Sequence, residues 1–507
     1  MDKILVLDFG SQYSHLICRR IREFSVYAEL VPFDISLEEI RKHNPKGIIF
    51  SGGPSSVYNS DAPIPEDGIF ELNLPLLGIC YGHQLIVNKF GGKVKRANKE
   101  YGSSLLTIDN DKDLLSGVGE SVRAWMSHGD EAEEIPPGFQ VIGHTESAKA
   151  AAIASDEKPV FGIQFHPEVV HTEQGTEILK NFVLKVCEAR QDWTMEKFIE
   201  TEVEKISKIE GNVLCGVSGG IDSTVAALLI HKAIGDRLKC VFVDNGLLRM
   251  NEEEEIEEMF KDNFKVNFTA IDAGESFLTK LKGVEDPEEK RKIVGEEFIS
   301  VFTDFAEKNG PFDWLAQGTL YPDVIESGVS KGPASVIKSH HNVGGLPDWL
   351  NLKILEPLKE LYKDEVREIA KILEVPEKIF MRHPFPGPGL AVRIIGEITP
   401  KKLEITKLAS KIVEEELVDA DLYGKVWQAY ASVGDDKAVG VVGDKRKHGN
   451  IVMIRVVDSI DAMTADWTRL PHGLLEKMSN RITNEIEDVT WVTYAISSKP
   501  PSTIEPQ

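Results

Sequence analysis

The chain has 507 residues, of which 42% are hydrophobic and 28% charged, as expected for a globular protein with more than one core. Its 82 acidic and 58 basic residues give a formal net charge of -24, which repels phosphate backbones and argues against a nucleic acid partner. The longest apolar runs are too short to cross a membrane and the start, MDKILVLDFG, is typical of a strand, so we expect a cytoplasmic protein without a membrane partner.

The first third of the chain alternates apolar strands with helices. KILVLDFG, KGIIFSGGP and PLLGIC are each typical of a buried strand, and a helical segment follows in each case. This alternation predicts a parallel sheet with helices on both faces. The polar stretch EARQDW is a candidate linker, so we place a first domain at residues 1–188.

A cysteine at a sharp turn is the first candidate for chemistry. The chain has five cysteines and no C-x-x-C pair, which argues against a disulfide framework or a thiolate zinc site. Cys80 lies in GICYG at 78–82, between a strand and a helix, which is the nucleophile elbow with Cys in place of Ser. A lone cysteine is more often a buried core residue, but the elbow favours a nucleophile whose thiolate is stabilised by the helix N-terminus.

A base for this thiolate comes from GIQFHPEV at 162–169. Strand alternation places His166 and Glu168 on one face, so Glu168 can orient the imidazole. The sequence His-Pro-Glu alone more often forms a turn. The nucleophile elbow at Cys80 is the reason to interpret His166 and Glu168 as its catalytic partners. Together with FSGGP at 50–54, these segments resemble the class I glutamine amidotransferase domain over residues 1–188. The resemblance implies Cys80 as nucleophile, His166 as base, Glu168 as its orienting group, and an oxyanion hole from the backbone N–H groups of Gly53 and Tyr81.

A second alternation of strands and helices begins at NVLCGVSGGIDSTVAALLIHKAI and continues to about residue 380. It predicts a second parallel-sheet α/β domain, which we place at residues 205–383. Within it, the glycines of SGGIDS at 218–223 let backbone amides approach a phosphate at a helix N-terminus. The segment lacks the Gly-Lys-Ser/Thr ending of a Walker A loop, so transfer of the γ-phosphate is not expected.

The SGGIDS segment resembles the pyrophosphate loop of ATP pyrophosphatases, which cleave ATP to AMP and pyrophosphate. VFVDNG at 241–246 lies at the end of the next strand, where α/β sheets usually bind ligands. Asp222 is the expected Mg²⁺ ligand, because hard cations prefer carboxylates beside substrate phosphates. The resemblance implies ATP contacts from Ser218, Gly219, Gly220, Ile221, Asp222, Ser223 and Val243.

A glycine-rich loop, IKSHHNVGG at 337–345, clusters Lys338, His340 and His341. An ordinary solvated loop explains these residues about as well as a site does. Metal binding is disfavoured, because adjacent side chains point to opposite sides of an extended chain.

The composition changes at RHPFPGPGL (382–390), where prolines and glycines predict an irregular, stiff loop. A long polar helix near 401–418 and three strand-like segments follow. We expect an accessory or dimerisation domain of the α+β class at residues 384–507, and we expect a homodimer.

The amidotransferase-like segment precedes the pyrophosphatase-like segment, and few protein families combine the two in this order. With QGTLYPDVIES at 317–327, RHPFPGPGL and the C-terminal KPPSTIE, the whole chain resembles the glutamine-hydrolysing GMP synthetase family. The resemblance implies glutamine, XMP and ATP as substrates, Mg²⁺ as cofactor, and GMP, glutamate, AMP and pyrophosphate as products. It also implies XMP contacts from Arg382, Gln428, Lys499, Ile504 and Glu505.

The C-terminus departs from the family, which commonly ends in Ile-Glu-Trp-Glu. Here Pro506 and Gln507 follow Glu505, and we expect these two residues to make no specific contact. Lys499 can pair with a nucleotide phosphate. A disordered terminus is the alternative interpretation of this segment.

Three other functions compete with this one. A tRNA-modifying pyrophosphatase would need a basic surface and a catalytic cysteine in the second domain, where Cys215 lies inside a strand. A regulatory pseudo-enzyme should lack Cys80 or SGGIDS, and both are present. A CTP synthase would carry a Walker-type loop in place of SGGIDS.

Overall fold

A computed structural model describes residues 1–324, 352–442, 444–459 and 464–507. The chain forms two compact units, Met1–Phe198 and Ile199–Gln507. The fold class predicted from the sequence, two parallel-sheet α/β parts followed by a smaller α+β part, is confirmed.

One sheet organises the first unit. Its nine strands are β1 (Lys3–Asp8), β2 (Tyr27–Pro32), β3 (Gly47–Phe50), β4 (Leu76–Ile79), β5 (Lys93–Ile108), β6 (Ser121–Glu134), β7 (Phe139–His144), β8 (Ala152–Ser155) and β9 (Val160–Ile163). They lie in the order β2-β1-β3-β4-β9-β8-β7-β5-β6. Strands β1 to β4 and β9 pair in parallel, whereas β5 to β8 pair antiparallel, a half of the sheet that strand-helix alternation did not predict.

Helices cover the parallel half of this sheet. Residues Ile4 to Leu7 of β1 are all fully buried, as expected for a strand covered on both faces. The helices of the first unit are Ser14–Arg22, Leu37–His43, Tyr81–Lys89 and Gly175–Lys180, the last continued by a π-helical turn, Asn181–Val186.

The second unit contains a parallel five-stranded sheet in the order β12-β11-β10-β13-β14. Its strands are β10 (Val213–Gly216), β11 (Leu238–Asp244), β12 (Phe268–Asp272), β13 (Trp314–Ala316) and β14 (Lys353–Leu355). The helices around it are Met195–Ser207, which begins just before the unit boundary, Ile221–Ile234, Glu252–Glu257, Gly274–Lys280, Pro287–Asn309, Lys363–Ile372 and Glu377–Phe380.

A second sheet follows the irregular Pro-Gly segment. Strands β15 (Gln428–Val442) and β16 (Lys445–Asp458) form an antiparallel pair, to which β17 (Asp466–Trp467) and β18 (Val489–Tyr494) are added. The predicted long helix is present as Pro400–Asp419, and a further helix is His472–Glu485. One cluster of buried side chains includes Leu214 of β10, Leu390 and Val452 of β16, so the hydrophobic core is continuous across residue 384.

Two remaining points concern segments that the sequence singled out. None of the described helices is both long and apolar enough to cross a membrane. Lys338, His340 and His341 lie outside the described residues, as does the end of the segment at 317–327.

Candidate active sites

Cys80 occupies a strained turn between β4 and the following helix. Its backbone has φ 52° and ψ -102°, and its amide donates a hydrogen bond to the Ile163 carbonyl at 2.8 Å. A Cβ at Gly78 would lie 2.3 Å from the Gly82 carbonyl oxygen, and one at Gly82 would lie 2.5 Å from that of Phe50. Both glycines of G-x-C-x-G are therefore required by close approach of the backbone.

His166 and Glu168 lie together beside this turn. His166 Nδ1 is 2.8 Å from Glu168 Oε1, and both residues are buried. A Cβ at Gly52 would lie 3.1 Å from His166 Cε1 and 3.6 Å from Cys80 Cβ, so imidazole and thiol face the same space. Burial lowers the pKa of His166, but the Glu168 carboxylate and hydrogen bonding with Cys80 outweigh it and raise the pKa to about 10. The Glu168 carboxylate therefore favours the protonated imidazole.

Strand β6 supports this arrangement, and sequence reasoning missed it. The His166 amide donates to the Trp125 carbonyl at 3.0 Å, and Thr172 Oγ1 donates to the His166 carbonyl at 2.6 Å. The Cys80 sulfur lies 3.6 Å from the Ser127 carbonyl oxygen. The polar run Ser-His-Gly-Asp at 127–130, inside an otherwise alternating strand, is the signal that could have pointed to it.

Asp130, at the end of that run, joins two other parts of the site. Its carboxylate accepts hydrogen bonds from Ser56 Oγ at 2.5 Å and from Tyr58 Oη at 2.9 Å. Its carbonyl accepts one from Gln84 Nε2 at 3.0 Å. Asp130 therefore connects the helix that follows Cys80 with the loop that carries Gly53.

The two residues predicted to form the oxyanion hole belong to a loop and to a helix start. Gly53 lies in the loop after β3, and Tyr81 is the first residue of the helix after Cys80. N–H groups at a helix start have no partner within the helix and are oriented to bind an anion. The Tyr81 hydroxyl donates to the Pro63 carbonyl at 2.9 Å, and burial raises its pKa to about 12, so its side chain stays neutral.

The SGGIDS loop curls over the start of the helix Ile221–Ile234. Ser218 N donates to Ser223 Oγ at 3.2 Å, Gly220 N to Ser218 Oγ at 3.4 Å, and Thr224 Oγ1 to the Gly220 carbonyl at 2.9 Å. Gly219 has φ +72°, which side-chain-bearing residues rarely adopt. The loop thus combines hydroxyl groups with the N-terminal amides of a helix, an arrangement that fits a phosphate.

Asp222 is paired with a residue that sequence reasoning missed. Lys363 Nζ donates to both carboxylate oxygens, at 2.7 and 2.6 Å. The two side chains are 43% and 31% exposed, so the pair is open to solvent. Within the described ranges, no three His, Cys, Asp or Glu side chains form a metal-binding group. A single carboxylate still fits Mg²⁺, which commonly binds one or two carboxylates together with substrate phosphates.

The neighbouring strand brings the second predicted ATP segment to the loop. Val217 N donates to the Val241 carbonyl at 2.9 Å, which holds the start of the loop against β11. Val243, two residues further along β11, is buried. Asp244 Oδ1 then accepts from the Gly246 amide at 2.7 Å and ends the strand in a turn.

Arg382 lies beside the same loop. Its guanidinium pairs with Glu255 and with Glu252, whose Oε1 is 3.6 Å from Nη1. The same Nη1 would lie 3.8 Å from a Cβ at Gly219. The structure therefore places this predicted XMP contact next to the predicted phosphate loop.

The Glu505 carboxylate accepts hydrogen bonds from Gln428 and from a buried arginine. Gln428 Nε2 donates to Glu505 Oε1 at 2.7 Å and to the Pro384 carbonyl at 2.9 Å. Arg393 donates to both oxygens of Glu505, from Nε at 3.1 Å and from Nη2 at 3.0 Å. The Arg393 side chain is 1% exposed, and sequence reasoning missed it.

The other two predicted XMP contacts are held through their backbones. The Ile504 carbonyl accepts hydrogen bonds from Tyr430 Oη at 2.6 Å and from Arg455 Nε at 2.9 Å. Lys499 N donates to the Ala465 carbonyl at 2.7 Å, and Ala465 N donates back at 3.1 Å. These bonds favour an ordered C-terminus over the disordered alternative.

The expectation that the last two residues make no specific contact is wrong for Gln507. Lys290 Nζ donates to Gln507 Oε1 at 2.6 Å, and Arg291 Nη2 donates to the main-chain oxygen of Gln507 at 2.6 Å. Lys290 is fully buried, and burial lowers its pKa to about 8. A buried ammonium group requires acceptors, and the C-terminal side chain supplies one of them.

Three protein families match successive parts of the chain. Residues 5–186 match the family described as glutamine amidotransferase class-I, residues 193–298 match NAD synthase, and residues 415–506 match the GMP synthase C terminal domain. A solved glutamine amidotransferase from Thermotoga maritima aligns with 37% of this chain and 98% of its own, at TM-score 0.31 and 16% identity.

Two curated relatives match over nearly their full length. A protein of Alkaliphilus metalliredigens named GMP synthase [glutamine-hydrolyzing] is 53% identical over 507 residues, which is 99% of each chain. A protein of Brachyspira hyodysenteriae with the same name is 52% identical over 508 residues, covering 100% of this chain and 99% of its own. At this identity and coverage, the chain belongs to the glutamine-hydrolysing GMP synthase family.

Proposed function

We propose that the protein converts XMP to GMP with ammonia taken from glutamine, while ATP is cleaved to AMP and pyrophosphate. The observation that carries the proposal is the pairing, in one chain, of a buried Cys-His-Glu arrangement with an SGGIDS loop at a helix start. Relatives that match over the full length carry the name of this activity.

In the glutaminase reaction, the Cys80 thiolate attacks the carboxamide carbon of glutamine. The amides of Gly53 and Tyr81 stabilise the oxyanion, and the His166 imidazolium, held by Glu168, gives its proton to the departing ammonia. Water then attacks the thioester, His166 accepts a proton from it, and glutamate leaves as the thiolate is regenerated.

In the synthetase reaction, Ser218, Gly219, Gly220, Ile221 and Ser223 hold the phosphates of ATP, and Val243 borders its nucleoside. Oxygen 2 of the xanthine attacks the α-phosphorus and pyrophosphate leaves. Ammonia then adds at carbon 2, and AMP leaves with the former xanthine oxygen. We propose that Lys363, which is paired with Asp222 in the structure, exchanges this carboxylate for an oxygen of the pyrophosphate.

We propose Mg²⁺ as the cofactor, held by Asp222 and the substrate phosphates. When bound, it would supply positive charge against the pyrophosphate that leaves. The Lys363 ammonium group, which donates two hydrogen bonds to Asp222, would compete with Mg²⁺ for this carboxylate.

We propose that XMP binds at the C-terminal segment, with its phosphate on Lys499 and its base or ribose near Ile504 and Glu505. Glu505 can accept further hydrogen bonds, because a carboxylate has about four acceptor positions and three are used in the structure. Gln428 contacts Glu505 directly, and Arg382 completes the proposed set.

We further propose that the chain has three domains, 1–188, 205–383 and 384–507, and that the protein is located in the cytoplasm.

We propose that the third of these domains forms a homodimer. Exposed apolar side chains on β15 and β18 support dimerisation: Val439, Val441 and Trp491 are 48%, 74% and 54% exposed. Sedimentation velocity compares the native chain with Val441→Glu, which we expect to be a dimer and a monomer, respectively. A monomeric native chain would contradict the homodimer, and a dimeric Val441→Glu would contradict the role of this surface.

Isotope tracing tests the reaction. The full-length protein is incubated with ATP, Mg²⁺ and glutamine labelled with ¹⁵N in its amide, and XMP, UTP or tRNA is supplied in turn. We expect AMP release with XMP alone, ¹⁵N in the GMP, and ¹⁸O from position 2 of labelled XMP in the AMP. Release of ADP, or AMP release with UTP or tRNA in place of XMP, would overturn the proposal.

A further inference from the structure

Arg455 of β16 is a buried arginine, 4% exposed, that binds the C-terminal tail, defined here as residues 497–507. Its Nη1 donates to the Ser497 carbonyl at 3.0 Å. Its Nη2 donates to Ser502 Oγ at 3.1 Å and to the Thr503 carbonyl at 2.8 Å, and its Nε donates to the Ile504 carbonyl at 2.9 Å. One guanidinium group therefore holds four acceptors of the tail.

The path of the tail explains why these four acceptors converge. The tail leaves β18 next to Arg455, because Tyr494 pairs with Ile454 in the sheet. Ser497 lies on the outgoing limb, whereas Ser502 to Ile504 lie on the returning limb. The guanidinium bonds to both limbs and thereby closes the loop between them.

Lys499 lies at the bend of this loop. Its backbone pairs with Ala465, and Ser502 N closes the turn by donating to the Ser498 carbonyl at 3.1 Å. Glu505 follows directly after the last residue held by Arg455, where Arg393 and Gln428 bind its carboxylate. The positions of both proposed XMP contacts therefore depend on the closure of the loop.

Arginine suits this task for a physical reason. Its planar group presents five donors in a fixed arrangement, so several acceptors can be held in defined directions at once. Hydrogen bonds from a charged donor are stronger than neutral ones, and the ends of chains otherwise lack order. A lysine at this position could not bond both limbs with the same geometry.

We propose that Arg455 is a positioning residue for the nucleotide substrate. It closes residues 497–504 into a loop and so holds Lys499 and Glu505 in place to bind XMP. This inference rests on the proposed binding of XMP by the tail. It assigns Arg455 no contact with the reacting atoms, and its effect acts through the residues of the tail.

The experiment compares full-length Arg455→Met and Arg455→Lys with the native chain, using ammonium salts as the nitrogen source so that the glutaminase does not contribute. We expect the KM for XMP to rise at least about tenfold in Arg455→Met and by a smaller factor in Arg455→Lys. The kcat at saturating XMP should stay within about threefold and the KM for ATP should not change. If Arg455→Met does not fold, Arg455→Lys, which keeps the charge, carries the test.

Arg481 provides a matched control. It donates to Glu415, Glu416 and Glu485 from the helix His472–Glu485, and none of these partners belongs to the tail. Arg481→Met should leave the KM for XMP unchanged. Added guanidinium should lower the KM for XMP in Arg455→Ala and have no such effect in Arg481→Ala.

A truncation that ends at Ser498 separates this inference from the function on which it rests. An unchanged KM for XMP in the truncated chain would refute XMP binding by the tail. A raised KM in the truncated chain with native values in Arg455→Met and Arg455→Lys would overturn the role of Arg455 alone. An equal rise in Arg481→Met, or a loss of kcat without a change in KM, would also overturn it.

Discussion

Burial and a neighbouring carboxylate act in opposite directions on His166. Burial disfavours the imidazolium, and the Glu168 carboxylate stabilises it more strongly, which raises the pKa from 6.5 to about 10. Because the folded value lies above the unfolded one, this contribution to stability is complete below pH 6.5 and is lost as the pH rises to about 10. In the proposed glutaminase reaction, the proton on the His166 imidazolium is the one that departing ammonia receives.

Glu168→Gln removes the carboxylate but leaves the His166 imidazole buried. We expect the pKa of His166 to fall, so that the rate of glutamine hydrolysis relative to the native chain decreases as the pH rises from about 6 to about 9. Glutamine consumption is measured across this range with XMP and ATP present. A ratio that does not vary with pH would contradict the role of Glu168, and retained AMP formation from ammonium salts is the control for folding.

Asp222→Asn removes the proposed metal ligand. We expect AMP formation to fall at least about a hundredfold with either glutamine or ammonium salts, because pyrophosphate must leave before ammonia reacts. Asp236→Asn, an exposed carboxylate after the same helix, is the matched control and should retain native rates. If Asp222→Asn still forms AMP from ammonium salts, the native Asp222 carboxylate stabilises only the N-terminus of the helix and does not bind the metal.

At the scale of elements, long-range hydrogen bonds position segments whose local patterns show no function. Strand β6 supports His166 and the Cys80 turn through its backbone, so its contribution does not depend on the types of most of its side chains. The tail is likewise held by Arg393, Arg455 and Lys290, which belong to three separate elements.

Removal of Pro506 and Gln507 tests the last of these attachments. The truncated chain loses the hydrogen bonds from Lys290 and Arg291, and we expect the KM for XMP to rise by about threefold to tenfold. Gln507→Leu removes the side-chain acceptor of Lys290 and should act in the same direction, whereas Gln507→Glu should not, because a carboxylate can still accept from the Lys290 ammonium group. A native KM for XMP in the truncated chain and in Gln507→Leu would show that this contact does not serve binding.

At the scale of the whole molecule, the two candidate sites belong to different compact units. Cys80, His166 and Glu168 lie within Met1–Phe198, and the SGGIDS loop lies within Ile199–Gln507. The described strands form one sheet in the first unit and two in the second, so loss of the chemistry in one unit need not unfold the other.

Cys80→Ala should therefore abolish synthesis from glutamine and leave synthesis from ammonium salts at the native rate. The reason is that ammonia supplied from solution replaces the product of the first unit. GMP formation is measured with each nitrogen source, and Cys18→Ala, a buried cysteine of the same unit, is the control that should retain both activities. Equal losses with both nitrogen sources in Cys80→Ala would contradict two separable sites.

The sequence alone determined the features that depend on near neighbours. The glycines of GICYG are required by backbone contacts within a few residues or with the adjacent strand, and the SGGIDS loop forms its hydrogen bonds internally. Buried parallel strands follow from continuous apolar runs, and His166 and Glu168 meet because they are two residues apart. Such patterns can be recognised in the sequence, because the residues that satisfy each physical constraint lie close together along the chain.

Only the tertiary structure decided which distant residues complete each site. Lys363 reaches Asp222 across 141 residues, and Lys290 reaches Gln507 across 217. The antiparallel half of the first sheet brings β6 beside His166, which no local periodicity indicates. The guanidinium of Arg455 closes a tail that begins 42 residues later. These partners are selected when elements pack, because burial of a charged group requires whichever donors or acceptors the fold places within reach.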